Sequence, residues 1–143
     1  MEMQATWKTL KSDDGTVLYE GFTLLGKPFG FGTAFFPNGK KYQEGMFYIK
    51  GLIYGKEYYP SGSLRFEGTY QLHKGYGPNY PVYGDCFDQD GHKVFGGALK
   101  IRKGGVGYPM VVEPENFGPL PQRERPEINW FIWDDARAAG IPF

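Results

Sequence analysis

PNGKKYQEG, Pro37 to Gly45, joins a turn-forming Asn38-Gly39 pair to a second glycine six residues on, and the frame returns as PSGSLRFEG at Pro60 to Gly68. Asp14-Gly15, Asn38-Gly39, Ser61-Gly62 and Asp90-Gly91 each open the same interval: GTVLYEG (15–21), GKKYQEG (39–45), GSLRFEG (62–68) and GHKVFGG (91–97). Before the second glycine stand Glu20, Glu44, Glu67 and Gly96, and before those Tyr19, Gln43, Phe66 and Phe95. The second unit carries its aromatic one place earlier, at Tyr42, a shift that moves the ring to the other strand face or marks a bulge.

Downstream of each interval lies a glycine-rich corner: GKPFGFG (26–32), KGLIYG (50–55), KGYG (74–77) and KGGVG (103–107). Between corner and next turn come Phe35-Phe36, Tyr58-Tyr59 and the looser VYGDCF (82–87). The unit is strand, corner, aromatic strand, turn. Asn-Gly and Asp-Gly pairs supply the positive φ angles of type I′ turns, so each repeat reads as one β-hairpin of about 23 residues. A lone hairpin is marginal, and stacked hairpins bury a shared face. The expected fold is mostly β, an elongated, twisted antiparallel sheet of stacked hairpins. Glycines beside aromatics then leave room for a ring from the adjacent strand to lie across the backbone.

Composition agrees. The 22 glycines and 18% aromatics suit short strands and tight turns better than a helical bundle. Sixteen basic and 16 acidic residues cancel, which removes the long-range field that draws proteins to nucleic acid. A single cysteine, Cys86, excludes an internal disulfide and paired-cysteine zinc sites, and favours the cytoplasm. The opening MEMQATWKTL lacks a basic segment followed by an apolar run, and no stretch reaches the ~18 apolar residues of a membrane helix.

The residues YEGFTLLGKPFGFGTAFFPNG (19–39) and FFPNGKKYQEGMFYIKGLIYGKEYYPSGSLRFEGTY (35–70) resemble the MORN repeat (membrane occupation and recognition nexus), whose units run as YEG, a polar spacer, a G-x-G corner, aromatics and a P-[DN]-G turn. The bacterial variant of the repeat is the nearer likeness, over about residues 15–107. The resemblance implies a non-enzymatic scaffold or protein-interaction module. MORN arrays have also been proposed to bind lipids, and bacterial variants are described as antitoxin-like. It brings no catalytic residue and no cofactor. Tyr19, Gly21, Gly32, Gly39, Gly45, Gly62, Phe66 and Gly68 are the matching framework positions.

The chain thus divides into an N-terminal segment, 1–14, with a short strand through Trp7 and Leu10; the array, 15–107; a proline-rich connector, 108–126; and a C-terminal segment, 127–143. In PEINWFIWDDARAAG, Pro126 suits a first turn and Gly140 a C-terminal cap, predicting a helix over 127–139. That helix either closes the repeat sheet as a cap or presents Trp130 and Trp133 to a protein partner. The third unit carries KGYGPNYPVYG, whose prolines suit an edge or loop better than a central strand. Its Tyr76, Tyr80 and Tyr83 suggest the alternative function, a small-ligand or lipid-headgroup site in the 75–84 insertion. Open sheet edges allow a homo-oligomer.

Other candidate chemistry is thin. Glu20, Glu44 and Glu67 recur once per repeat and predict an acidic row on a solvated face. DCFDQDGH (85–92) has Asp88 and Asp90 at calcium-loop spacing, but Cys86 and Gly97 stand where oxygen ligands are needed. The glycine corners lack GK[ST], His73 and His92 fall in different repeats, and KIRK (100–103) reads as edge protection.

Overall fold

The computed structural model describes residues 4–73, 78–103, 109–112 and 114. The expected helix over 127–139 with Trp130 and Trp133, and Tyr76 of the insertion, lie outside the described residues.

Eight strands form one antiparallel meander in chain order: β1 (Thr6–Lys11), β2 (Val17–Leu24), β3 (Lys27–Phe35), β4 (Lys41–Phe47), β5 (Leu52–Tyr58), β6 (Leu64–Gln71), β7 (Tyr80–Phe87) and β8 (Lys93–Ala98). A separate hairpin pairs β9 (Lys100–Lys103) with β10 (Pro109–Val112), so the stretch read as a connector opens with a strand. Among the described residues there is no helix, and none long and apolar enough to cross a membrane.

The repeat glycines meet. Gly21 pairs with Gly32, Gly32 with Gly45, Gly45 with Gly55, Gly55 with Gly68, Gly68 with Gly84 and Gly84 with Gly97, a continuous row from β2 to β8. The backbones approach too closely there for side chains: a Cβ on Gly68 would lie 2.6 Å from the Gly84 Cα, and one on Gly45 2.8 Å from the Gly55 Cα. On the same face, the row two residues before or after runs Tyr19, Ala34, Gln43, Glu57, Phe66, Cys86 and Phe95.

The bare row lets one sheet build its own core. Phe66 and Tyr70 are four residues apart on β6, a span of about 13 Å in an extended strand, yet their ring centroids lie 5.4 Å apart above Gly68. Tyr19 and Phe47 meet edge to face at 5.2 Å, from opposite sides of the row. Tyr19 lies over Gly32, and its hydroxyl donates to the Phe22 carbonyl at 2.6 Å; the Phe66 ring lies over Gly84. These rings join Ala34, Leu52, Cys86 and Leu99 in one buried cluster, with Val111 of β10 packed against it. The expected room for rings beside glycines is realised at both positions.

Two sequence expectations are corrected. The four repeat turns are not type I′. In each, a backbone N–H three residues on returns to the first carbonyl, and the first N–H bonds the carbonyl four residues on: Gly39 to Phe36 and Phe36 to Lys40, Gly62 to Tyr59 and Tyr59 to Ser63, with the same pattern at Ser12 and Asp88. Only the glycine is left-handed, at φ 87°, 86°, 101° and 88° for Gly15, Gly39, Gly62 and Gly91. This is a type I turn closed by a glycine bulge, with Pro37 and Pro60 at the position where proline's fixed φ fits. The type I′ conformation instead occurs at Leu25-Gly26, φ 54° and 77°, between β2 and β3.

Pro81, second, lies inside β7, flanked by β6 and β8. It is tolerated because the register slips there: Thr69 pairs with Tyr83 but Tyr70 with Pro81, so the proline sits at a bulge. Residues 80–84 of the presumed insertion therefore open the second strand of the third hairpin.

The displaced Tyr42 also falls in a bulge, and one recurs at the equivalent place in each hairpin, skipping Leu18, Tyr42, Arg65 and Val94. Tyr42 packs on Phe36 at 5.0 Å, while Gln43 takes the inward position.

Gly68→Ala is expected to cost roughly 1–3 kcal/mol through overpacking alone. Gly96→Ala is expected to be nearly neutral, because its Cβ would meet only the movable ends of Lys93 and Asp85. Urea denaturation of the two variants checks the contrast.

Candidate functional site: two rows on the outer face

The face opposite the core carries two parallel rows flanking the glycines. One neighbour of each row glycine points outward, following the glycine on β2, β4, β6 and β8 and preceding it on β3, β5 and β7. The result is Phe22, Phe31, Met46, Tyr54, Thr69, Tyr83 and Ala98, extended by Trp7, which pairs with Phe22; between β2 and β3 the register slips, so that Phe22 lies beside Gly30 rather than opposite Phe31. Trp7 is 56%, Phe31 51%, Tyr54 42% and Tyr83 59% exposed, high for large rings. Trp7 and Phe22 stack edge to face at 5.3 Å, and Phe31 and Tyr54 do so at 6.0 Å, leaning together across β4. With strands about 4.8 Å apart, the row runs about 34 Å across eight strands and one residue wide.

On the other side of the glycines, the outward row is Glu20, Thr33, Glu44, Lys56, Glu67, Asp85 and Gly96. The three repeat glutamates do share one row, but Lys56 stands between Glu44 and Glu67, 3.9 Å from the latter. Lys41 bonds Glu44 at 2.8 Å and Lys93 bonds Asp85 at 2.9 Å. The Lys41 ammonium, with the Tyr58 hydroxyl at 3.1 Å, holds the Glu44 carboxyl below its usual range. Burial, then the Glu44 charge, pushes Tyr58 up to about 12.

Of the tyrosines predicted as contacts, Tyr83 joins the outer aromatic row. Tyr80 does not: its half-buried ring meets His73 edge to face at 6.1 Å. The sequence reading missed Trp7, Phe22, Phe31 and Tyr54. For Phe22, Phe31 and Tyr54 the signal is an aromatic beside a row glycine, as in Gly21-Phe22, Phe31-Gly32, Tyr54-Gly55 and Tyr83-Gly84, following it on β2 but preceding it on β3, β5 and β7, which places them on one side of the row only once strand direction is assigned.

The buried titratable groups are tied up in the fold. Glu57 accepts from Arg65 at 2.6 Å, Gln43 at 2.7 Å and the Tyr70 hydroxyl at 3.3 Å, and the Arg65 guanidinium lies 5.9 Å from the Tyr59 ring centroid. Burial, reinforced by the Glu57 charge, raises the Tyr70 hydroxyl well above its ordinary value. Lys50, in the β4–β5 corner, is fully buried and donates to the His73 carbonyl at 2.6 Å. Asn79 ties the same corner down, donating to the Tyr48 and Gly51 carbonyls at 3.0 and 3.2 Å and accepting the His73 N–H at 3.2 Å. Ile49 in that corner has φ 61°, a conformation costly for a β-branched residue and held by these bonds.

Asp88, Asp90 and His92 bring ligand-type atoms within 4.8 Å of one another. The Asp88 carboxylate is engaged by the Asp90 and His92 N–H groups, both at 2.9 Å, which organise the turn and lower its pKa. A cavity of about 430 Å³ lies between β8 and β10, lined by Val94, Phe95, Ala98, Leu99, Lys100 and Val112 together with Pro114.

Comparison with protein-family models, with curated proteins and with solved structures finds no match for the chain.

Two expectations follow from the buried groups. Removing one partner of the ion pair, as in Glu57→Leu or Arg65→Met, should cost about 3–5 kcal/mol, and the double variant less than the sum, as read by a denaturation cycle. Burial lowers the Lys50 pKa from 10.5, so the unfolded chain binds more protons and stability from this group rises as pH climbs toward 10.5. The stability difference between wild type and Lys50→Met, followed from pH 7 to about pH 10, should move in favour of wild type.

Proposed function

We propose that this chain is a non-enzymatic, MORN-like β-hairpin repeat module that binds a partner protein along its outer aromatic row. The observation that carries the reading is that Trp7, Phe22, Phe31, Tyr54 and Tyr83 all lie along one side of the glycine row, each exposed, on the face opposite the core. Aromatic rings are enriched at binding hot spots, where a rigid ring buries much area at little entropic cost. Exposed apolar surface of this kind, gathered on one face, marks interaction sites. The glycine row fixes the backbone beneath the rings, so the surface is held ready before a partner arrives.

The buried polar groups support the non-enzymatic part. Glu57 with Arg65, and Lys50 with the His73 carbonyl, lie within the fold and serve its packing.

Phe31→Thr/Tyr54→Thr/Tyr83→Thr keeps strand propensity while removing the rings. Tagged in its own cell, this variant should lose proteins that co-purify with wild type while melting within a few degrees of it. A control, Lys100→Ala/Arg102→Ala on β9, should retain them. Equal recovery by the ring variant and wild type would overturn the reading.

A further inference from the structure

We infer that the occupant of the aromatic row is a basic, amphipathic segment of a partner protein, lying across the strands with its apolar side on the rings and its cations over the Glu20–Glu44–Glu67–Asp85 row. The inference rests on the aromatic row being the interaction surface and names what that surface takes.

Shape limits the occupant. The strip is about 34 Å long and one residue wide, well short of the roughly 800 Å² per side that a stable protein–protein interface buries. A single helix of about 22 residues spans the same length and is narrow enough to seat along one row. Charge chooses among segments. Two residues along each strand, about 7 Å from the positions of the aromatic row, lie four carboxylates, Glu20 beside Phe22, Asp85 beside Tyr83, and Glu44 and Glu67 beside Met46 and Thr69, while Lys56, beside Tyr54, is the one cation within that row. Lys56 pairs with Glu67, and Lys41 and Lys93 reach in to Glu44 and Asp85 from neighbouring positions, but all three ion pairs are substantially exposed, the lysines at 48%, 52% and 55%. Such pairs are weak and exchange readily. An arginine on the partner can bind a carboxylate through two parallel N–H bonds, which a lysine cannot, and can stack over the adjacent ring. This chain's own residues 123–137 mix Arg123, Arg125 and Arg137 with Glu124, Glu127, Asp134 and Asp135, and so lack the required charge.

The test uses two fluorescein-labelled, helix-forming peptides of about 22 residues, one built of Leu and Lys/Arg and the other of Leu and Glu, with binding to the full chain read by anisotropy at two salt concentrations. The basic peptide should bind at least about 10-fold more tightly, with an advantage that shrinks as salt rises. Glu20→Gln/Glu44→Gln/Glu67→Gln should lose most of that advantage, and Phe31→Thr/Tyr54→Thr should abolish binding of both peptides. Equal affinity for the two peptides, or a glutamine variant indistinguishable from wild type, would overturn the charge inference, while loss in the ring variant would still uphold the aromatic row. Binding by neither peptide overturns the inference. So does light scattering that finds a dimer dissolved by Phe31→Thr/Tyr54→Thr, which names a second copy. A photo-crosslinker at position 54 that captures residues 115–143 of the same chain names that segment instead and likewise overturns it.

Discussion

The structure depends on strands that meet without side chains between them. The row Gly21–Gly32–Gly45–Gly55–Gly68–Gly84–Gly97 crosses the sheet from β2 to β8, and a Cβ at Gly45, Gly55, Gly68 or Gly84 would overlap the facing backbone. The eight-stranded sheet presents apolar side chains on its core face, and among the described residues no second layer covers all of it. Leaving one register bare lets the rows on either side lean together, so Tyr19 reaches Phe47 and Phe66 reaches Tyr70 across the gap. The same absence of side chains makes the two outward rows neighbours separated only by glycine. One constraint thereby sets both the core and the outer surface.

Within that frame the middle of the core is polar. Where the repeat would place a ring, Gln43 faces Glu57, and Arg65 enters from a bulge to neutralise it. A buried carboxylate is costly unless fully bonded, and here both oxygens are engaged. Because Arg65 reaches Glu57 only through the bulge, the pair also locks the β5–β6 register, a role apolar residues would fill less selectively.

Much of this was legible in the sequence. The six-residue glycine interval gave the hairpins, their order and the glycine–ring contacts, because those features depend on spacing along the chain. The turn type was not legible: Asn38-Gly39 serves a two-residue or a three-residue loop, and which one forms depends on where pairing stops, here at Phe36 and Lys40. Pro81 was misjudged because a bulge, invisible in sequence, removes the need for its N–H. The aromatic row escaped notice because which side of a glycine counts depends on strand direction: Phe22 follows its glycine, Phe31, Tyr54 and Tyr83 precede theirs, and Trp7 has no glycine beside it. Tyr42 and Gln43 drew attention in the sequence as an irregularity, and the structure gives them a shared cause in the bulge that recurs through the hairpins.

The central claim is that paired glycines let rings from flanking rows close over the backbone, and proton NMR of the full chain tests it directly. The account predicts that the Hα protons of Gly32 and Gly84 are shifted strongly upfield by the Tyr19 and Phe66 rings, with nuclear Overhauser contacts between Tyr19 and Phe47 and between the Hα protons of Gly68 and Gly84. Glycine shifts at ordinary strand values, with those contacts missing, would contradict it.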